Sequence, residues 1–341
     1  MRIIAEIDEF KGEWRVTSGV APEKLHSLRR LATIESVGSS TRIEGARLSD
    51  AEVQKFLTNL RTESFRSRDE EEVAGYARVM ETVQSAWEDL RLTAPILLQL
   101  HRDLLQYSSK DERHRGAWKT LPNHVAAFDA DGREVGIVFE TASPFETSRL
   151  MEELLAWHAG EEREPSLHPL LRIAVFNVVF LAIHPFQDGN GRLSRVLTNL
   201  QLLRAGYAFA SFSSLESVIE NRKEAYYLAL RRTQTSFGTS SPEWEGWLSF
   251  FLRAMLMQIE RLRDRLGIIV FAEHLPEELS PLAGRLFNLL MERGTLSVAE
   301  ATAELGGSRN TLRDKFGELV HQGFATLHGK GRGAHYRPIR R

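Results

Sequence analysis

Eleven mostly apolar residues, from Ile173 to Ile183, lead straight into a glycine-rich turn. The run contains Asn177 and is too short to cross a bilayer, so it predicts a helix that is buried on all sides. Such a helix has to lie inside a core, and other elements must cover it. With 341 residues, 42% of them hydrophobic, the chain is long enough to supply that cover.

Most of the remaining sequence has a helical pattern. Ser49 or Asp50 is a natural N-cap for one stretch, and Pro95 suits the first turn of another. Apolar residues recur at helical spacing in 21–40, 48–61, 69–91, 93–108, 146–160, 192–206, 214–234 and 241–267. These segments predict a mainly α fold.

The helical pattern breaks once in the middle of the chain. There Asp131-Gly132, a strong turn signal, separates β-prone stretches around Val125 and over 134–139. This break predicts a short exposed hairpin inserted into the helical protein.

The C-terminal part has its own organisation. Residues 276–341 predict three helices followed by two short β segments around 328–333. A Gly-Gly-Ser segment at 306–308 separates the second and third helices, as in a helix-turn-helix. Residues 282–341 carry ten Lys and Arg against five Asp and Glu, a local charge of +5 in a chain of total charge −2. This asymmetry predicts a separate module.

Composition excludes several kinds of chemistry. The chain has no cysteine, which rules out disulfides, thiolate catalysis and cysteine-ligated zinc. Its N-terminus carries acidic residues early and lacks a long apolar segment, so we expect no signal peptide. The expectation is a cytoplasmic protein that does not associate with a membrane.

The segment His184–Arg195, HPFQDGNGRLSR, concentrates the polar chemistry. A helix, a DGNG turn and a second helix form an anion nest, because free N–H groups at the helix start point toward the ligand. Arg192 and Arg195 are three residues apart and can share a helix face, where they would hold phosphates. Asp188 could bind Mg²⁺, and His184 could take a proton from a hydroxyl. Together these groups suit in-line displacement at phosphorus.

A structural role for parts of this segment is the alternative. Glycine-rich turns between helices are common, and a lone histidine is more often a satisfied polar residue than a base. The complete twelve-residue pattern favours a functional site, since chance explains it poorly.

This segment resembles the signature of the Fic (filamentation induced by cAMP) family, His-x-Phe-x-acid-Gly-Asn-Gly-Arg-x-x-Arg, at every fixed position. The resemblance covers roughly residues 30–260. It implies a Fic-type helical bundle with a β-hairpin flap that docks the target, plus a C-terminal winged helix-turn-helix domain. The implied domains are an N-terminal helical region with an inhibitory motif (1–95), a catalytic core (96–270) and a winged-helix domain (276–341).

The resemblance also implies an activity. A protein adenylyltransferase moves AMP from ATP to a Ser, Thr or Tyr hydroxyl of a target protein, or of itself, and releases pyrophosphate. By that implication His184 is the base and Asp188 ligates Mg²⁺. The phosphates would be held by Gly189, Asn190, Gly191, Arg192 and Arg195, with the Asn190 side chain near the α-phosphate. Phe186 would anchor the loop, and Gly191 favours nucleotidyl transfer because phosphorylating relatives carry lysine there.

An adenine pocket is the expected role of part of 214–234. Tyr227 and Leu230 lie three residues apart and could cover the base, and Gln234 lies one turn further on and could bond its edge. The alternative is an ordinary helix core. In the hairpin, 136–142 could pair with an extended target segment.

A second motif lies far from the first. Residues 39–45, SSTRIEG, could simply be a helix end with a glycine C-cap. They also resemble the family's inhibitory helix, through Ser40, Glu44 and Gly45. Glu44 could then form a bidentate pair with Arg195 and compete with the γ-phosphate. Alternatively, the same glutamate positions a water that removes AMP from a modified target.

The sequence also allows functions other than catalysis. A winged helix could bind DNA, through a set of polar and basic residues on its recognition helix and wing: Arg309, Asn310, Arg313, Lys330, Arg332, Arg337, Arg340 and Arg341. The winged helix could equally bind protein or have only a packing role, and Asp314 and Glu318 reduce the positive charge of its recognition helix. The apolar face of 244–262 could support a homodimer. A catalytically inactive scaffold conflicts with the intact His184, Asp188 and arginines.

Overall fold

The computed structural model describes residues 2–16, 22–59, 65–128, 134–273, 280–329 and 334–339. The chain forms two compact units, Met1–Arg261 and Leu262–Arg341. Several predicted features lie outside the described residues, namely Asp131-Gly132, Lys330, Arg332, Arg340 and Arg341. Among the described helices, none has the length and apolar character that crossing a membrane requires.

Helices dominate the first unit. Five of them precede the hairpin: α1 (Arg2–Val16), α2 (Pro22–Ile43), α3 (Asp50–Thr58), α4 (Arg68–Ala86) and α5 (Ala94–Leu104). The hairpin consists of β1 (Val125–Phe128) and β2 (Glu134–Phe139). The helices after it are α6 (Pro144–Arg163), α7 (Pro169–Ile183), α8 (Asn190–Arg204), a 3-10 helix (Ala208–Phe212), α9 (Leu215–Glu220), α10 (Lys223–Ser236) and α11 (Glu245–Glu273). Helix α11 continues past Arg261, where the first unit ends.

The predicted helices are present, and their ends follow local chemistry. Ser49 caps α3 in a capping box with Glu52, and a proline lies in the first turn of α5. The prediction of one helix over 214–234 is wrong, because the chain turns after Glu220 and α10 begins anew. The N–H of Asn221 bonds back to the Ser217 and Ile219 carbonyls and closes α9. No pattern had indicated α1 or the 3-10 helix.

Helix α7 lies at the centre of the first unit, as its composition predicts. It packs against α6, α8 and α10. Asn177, the polar residue in its apolar run, donates from Nδ2 to Thr198 Oγ1 of α8 at 2.8 Å. Trp247 of α11 donates from Nε1 to the carbonyl of Ala174 at 2.7 Å and is almost fully buried. These contacts hold α7 against α8 and α11.

The second unit contains the elements that the sequence predicts. They are α12 (Pro281–Arg293), α13 (Val298–Leu305), α14 (Arg309–His321), β3 (Ala325–His328) and β4 (His335–Pro338). β3 and β4 pair antiparallel, and Leu296 forms an additional bridge to Tyr336 of β4. The Tyr336 ring stacks on Phe316 of α14 with centroids 3.8 Å apart, so the hairpin shares a core with the helices.

Candidate active site

The loop between α7 and α8 forms the centre of the site. α7 ends at Ile183, and His184 takes a left-handed conformation with φ 54° and ψ 60°. Among the described residues it is the one non-glycine with positive φ. Gly189, at φ 80°, precedes the first turn of α8. Because glycine adopts this conformation without strain, α8 can start with its free N–H groups facing the loop.

Phe186 anchors the loop in the core, as the resemblance implies. Its ring is fully buried and stacks on His101 with centroids 3.8 Å apart. Asn190 fixes the same loop from the other side: Oδ1 accepts from the Phe186 N–H at 2.9 Å, and Nδ2 donates to its carbonyl at 2.7 Å. Both polar ends of the Asn190 side chain are thus used within the loop, rather than directed at an α-phosphate as expected.

His184 has the protonation state of a base. Its Nδ1 lies 3.3 Å from the Leu181 carbonyl, which can only accept, so Nδ1 carries the proton. The lone pair is therefore on Nε2. Burial lowers the pKa of His184 to about 4, and the charge of Lys119 acts in the same direction. The imidazole is neutral at pH 7 and can accept a proton.

Asp188 lies beside His184 on the cavity wall and is surrounded by cations. Oδ1 accepts from the Gly189 N–H at 2.5 Å and from Arg192 at 3.1 Å, while Oδ2 is 3.4 Å from Arg68 and 3.9 Å from Lys110. Burial acts to raise the pKa of Asp188, but Arg192 and the other positive partners outweigh it and the pKa is lowered. The carboxylate is ionised, as a metal ligand must be.

Arg192 and Arg195 both belong to α8, but of the two only Arg195 lines the cavity. Arg192 is 2% exposed, and its guanidinium lies 3.1 Å from Asp188 and 3.3 Å from Glu72 of α4. It is absent from the cavity wall, to which Arg195 contributes. Glu72 attracts Arg192 toward α4, and spacing along α8 alone could not reveal this partner.

Arg195 is bound by the end of α2. Nη2 donates to Glu44 Oε1 at 2.7 Å and to the Ser40 carbonyl at 3.0 Å, and Nε donates to Ser40 Oγ at 2.8 Å. The pair with Glu44 uses one carboxylate oxygen and is not the bidentate pair expected. Burial acts to lower the pKa of Arg195, but the Glu44 carboxylate outweighs it and the pKa is raised.

Two glycines allow Glu44 to reach this position. Gly45, at φ 109°, ends α2, and its N–H bonds to the Arg42 carbonyl at 3.1 Å. Glu44 therefore projects from the helix end toward α8. At Gly191 an added Cβ would overlap Glu44 Oε1, so the first turn of α8 accommodates the carboxylate because it has no side chain there.

A cavity of about 800 Å³ joins these groups. This size is in the usual range for small-molecule sites. Its wall contains Glu44, His184, Arg195, the turn 187–191 and Phe139 at the end of β2. From α10 the wall includes all three residues predicted for the adenine: Tyr227, Leu230 and Gln234. It also includes three residues that were not predicted: Lys223, Tyr226 and Arg231.

Comparison with known proteins agrees with this geometry. Residues 91–202, which include the turn and its two flanking helices, match the Fic/DOC family. This region of the chain is similar to a Fic domain. Protein adenylyltransferase Fic from Drosophila grimshawi is 29% identical over 185 residues, which span 54% of this chain and 35% of that protein. The chain thus matches about a third of this relative's length.

Solved structures share the fold. A Fic-domain signalling protein from Bacteroides thetaiotaomicron superposes with a TM-score of 0.60 at 23% identity, over 75% of this chain and 96% of that one. A Fic family protein from Desulfovibrio desulfuricans gives a TM-score of 0.62 at 22% identity, over 100% of this chain and 95% of that one. The mainly α architecture is therefore that of Fic proteins.

His101 lies in the region that matches the Fic/DOC family, and no sequence pattern had indicated a role for it. Its Nδ1 accepts from the Gly116 N–H at 2.9 Å, so the proton is on Nε2, which donates to the Asp188 carbonyl at 3.0 Å. Burial lowers the pKa of His101 to about 4, and the ring is neutral at pH 7. The sequence signal that could have revealed His101 is its position as a polar residue in the otherwise apolar stripe of α5.

Proposed function

We propose that this protein transfers AMP from ATP to a hydroxyl side chain of a target protein. The observation that carries the proposal is one cavity in which neutral His184, ionised Asp188, the N-terminus of α8 and Arg195 converge. The names of the curated relatives, protein adenylyltransferase Fic, give independent support. The 800 Å³ volume is large enough for a nucleoside triphosphate.

The proposed reaction is one displacement at the α-phosphorus. His184 Nε2 takes the proton from a Ser, Thr or Tyr hydroxyl of the target, and the hydroxyl oxygen attacks the α-phosphorus. A new oxygen–phosphorus bond forms, and the bond from the α-phosphorus to the bridging oxygen breaks. Pyrophosphate leaves with that electron pair. Arg195 and the N–H groups at the start of α8 would bind the phosphates.

Mg²⁺ fits the chemistry of Asp188. This ion is commonly held by one or two carboxylates together with substrate phosphates and water. Asp188 is ionised and lines the cavity, and no cluster of three or more His, Asp or Glu occurs in the described part of the chain. Asp188 would thus be the protein ligand of an ion that neutralises phosphate charge. Arg68 and Lys110 would have to release Oδ2 first.

Autoinhibition by Glu44 is the second part of the proposal. The Glu44 carboxylate uses the guanidinium that the γ-phosphate needs. Arg195 is almost fully buried and Glu44 is bonded to its guanidinium, so a phosphate that bound the same guanidinium would compete with this carboxylate. Productive ATP binding therefore requires Glu44 to move away.

Incubation of Glu44→Gly protein with labelled ATP and Mg²⁺ tests both parts. We expect self-modification, or modification of a lysate protein, by the mass of one AMP. The wild type should be much less active, and His184→Ala should abolish transfer in either background. Absence of transfer by Glu44→Gly to itself and to lysate would refute the proposed activity.

AMP removal is a second candidate for the same site. Glu44 keeps 33% of its side-chain surface exposed and lines the cavity, so its carboxylate could activate a water. Release of AMP from a modified target separates the two directions. Removal predicts that wild type releases AMP faster than Glu44→Gly, whereas pure inhibition predicts the opposite order.

DNA binding by the second unit is supported by the exposed face of α14. Arg309, Asn310 and Arg313 are exposed on this helix, and Arg337 is exposed on β4. Glu318, which would oppose DNA, is bonded to Lys315 at 2.7 Å and to the Ser280 N–H at 3.2 Å. A gel shift at low salt tests the proposal, and no shift with random or promoter DNA would reject it.

A further inference from the structure

The loop that carries His184 is held by the segment just before the hairpin. Four consecutive carbonyls, from residue 183 to residue 186, each accept a hydrogen bond from Lys119 or Asn123. Lys119 Nζ donates to the Ile183 carbonyl at 3.0 Å, and its N–H donates to that of Pro185 at 2.8 Å. Asn123 Nδ2 lies 3.3 Å from the His184 carbonyl and 2.5 Å from that of Phe186.

The donors are themselves fixed. Lys119 is 3% exposed, and its ammonium has three acceptors: the Ile183 carbonyl, Asn123 Oδ1 at 2.8 Å and Thr141 Oγ1 at 3.0 Å. Three donors with three acceptors satisfy the group completely. Because Oδ1 of Asn123 accepts from the ammonium, its Nδ2 has to face the loop. The Thr141 hydroxyl donates to the Asn123 carbonyl at 3.0 Å.

This cluster also connects the loop to the hairpin. Asn123 lies two residues before β1 begins, and Thr141 lies two residues after β2 ends. The base of the hairpin is therefore bonded to the turn that carries His184. That turn needs support, since His184 has a left-handed backbone that non-glycine residues rarely adopt.

We propose that Lys119 and Asn123 are positioning residues. They hold His184 in its left-handed conformation and fix its loop to the base of the hairpin. The proposal rests on the proposed role of His184 as the base. Neither residue lines the cavity, so they act through the loop and not on the nucleotide. Loss of either should lower kcat and leave nucleotide affinity unchanged.

The first test measures transfer in the Glu44→Gly background. Lys119→Met keeps the length of the side chain but removes the ammonium, and Lys119→Arg restores a cation. We expect Lys119→Met to lower kcat roughly tenfold to a hundredfold, with KM for ATP within about twofold, because a small misplacement of the base is costly. Lys119→Arg should recover most of the loss. Lys55→Met, at an exposed position on α3, is the matched control.

The second test does not need transfer. The Lys119 charge lowers the pKa of His184, whereas Glu44 and Asp188 raise it, and burial lowers it most. NMR of protein with labelled histidine should show the pKa of His184 rising from about 4 in Lys119→Met. The value should not move in Lys55→Met. A Lys119 ammonium that lay away from the loop would give no such shift, and Lys119→Arg should keep the low value.

The outcomes separate the two proposals. If Glu44→Gly transfers no AMP but the His184 shift appears, the proposed function fails, while the contact of the Lys119 ammonium with the His184 loop is supported. If Lys119→Met transfers at the parent rate with an unmoved His184 pKa, the positioning role is overturned. If Lys119→Met does not fold, Asn123→Leu takes its place in the transfer assay, because this variant keeps the Lys119 ammonium and removes the Asn123 Nδ2 donor. Unchanged kcat in folded Asn123→Leu would also overturn the role.

Discussion

Replacing Glu44 by glycine should tighten nucleotide binding by an amount that the Arg195 contact predicts. The hydrogen bond is 2.7 Å long, and Arg195 is 3% exposed while Glu44 is 33% exposed. Hydrogen bonds to charged groups contribute about 1.5–3 kcal/mol, and the exposure of Glu44 favours ~2 kcal/mol. Loss of the bond raises the free energy of the unliganded protein, so a ligand that needs Arg195 should gain the same amount, roughly 30-fold in Kd.

Calorimetric titration with a non-hydrolysable ATP analogue and Mg²⁺ measures this gain. Urea unfolding of the unliganded proteins gives a second value, because the lost bond should also lower stability by ~2 kcal/mol. Glu23→Gly removes a charge from the exposed start of α2 and is the matched control. Kd values of wild type and Glu44→Gly within about threefold would refute the competition between Glu44 and phosphate.

Three further outcomes concern stability. His101→Phe keeps a ring that can stack on Phe186 but removes the hydrogen bonds to the partly buried Gly116 N–H and Asp188 carbonyl, so urea unfolding should show a loss of about 1–3 kcal/mol. Glu72→Ala removes one of the two carboxylates that pair with the buried guanidinium of Arg192 and leaves Asp188. It should lower the free energy of unfolding by about 2 kcal/mol more than the exposed Glu81→Ala does. The unfolded histidines titrate near pH 6.5 but His101 and His184 titrate near 4 when folded, so stability should fall as pH drops from about 6.5 to about 4. A flat unfolding free energy between pH 7 and pH 5 would contradict the buried neutral state.

Much of the fold could be predicted because it follows from local patterns. The apolar run of α7, the capping box at Ser49 and the Gly-Gly-Ser segment before α14 are short-range signals, and each corresponds to an element in the structure. The break between α9 and α10 could not be seen in this way. Glu216 of α9 accepts from Ser36 at 2.8 Å and Tyr76 at 3.1 Å, so distant partners fix that short helix.

The sequence by itself determined which chemical groups surround the cavity: a histidine, an aspartate, a glycine turn and a cavity-lining arginine follow each other within twelve residues. The tertiary structure decided how those groups are used. Arg192 and Arg195 look equivalent in the sequence, yet Glu72 of α4 attracts one into the core and Glu44 of α2 binds the other at the cavity. The physical reason is that opposite charges attract whatever their separation in the sequence, and Glu72 and Glu44 come from helices more than a hundred residues away. Likewise, Lys119 and Asn123 contact the His184 turn only because the chain folds back on itself.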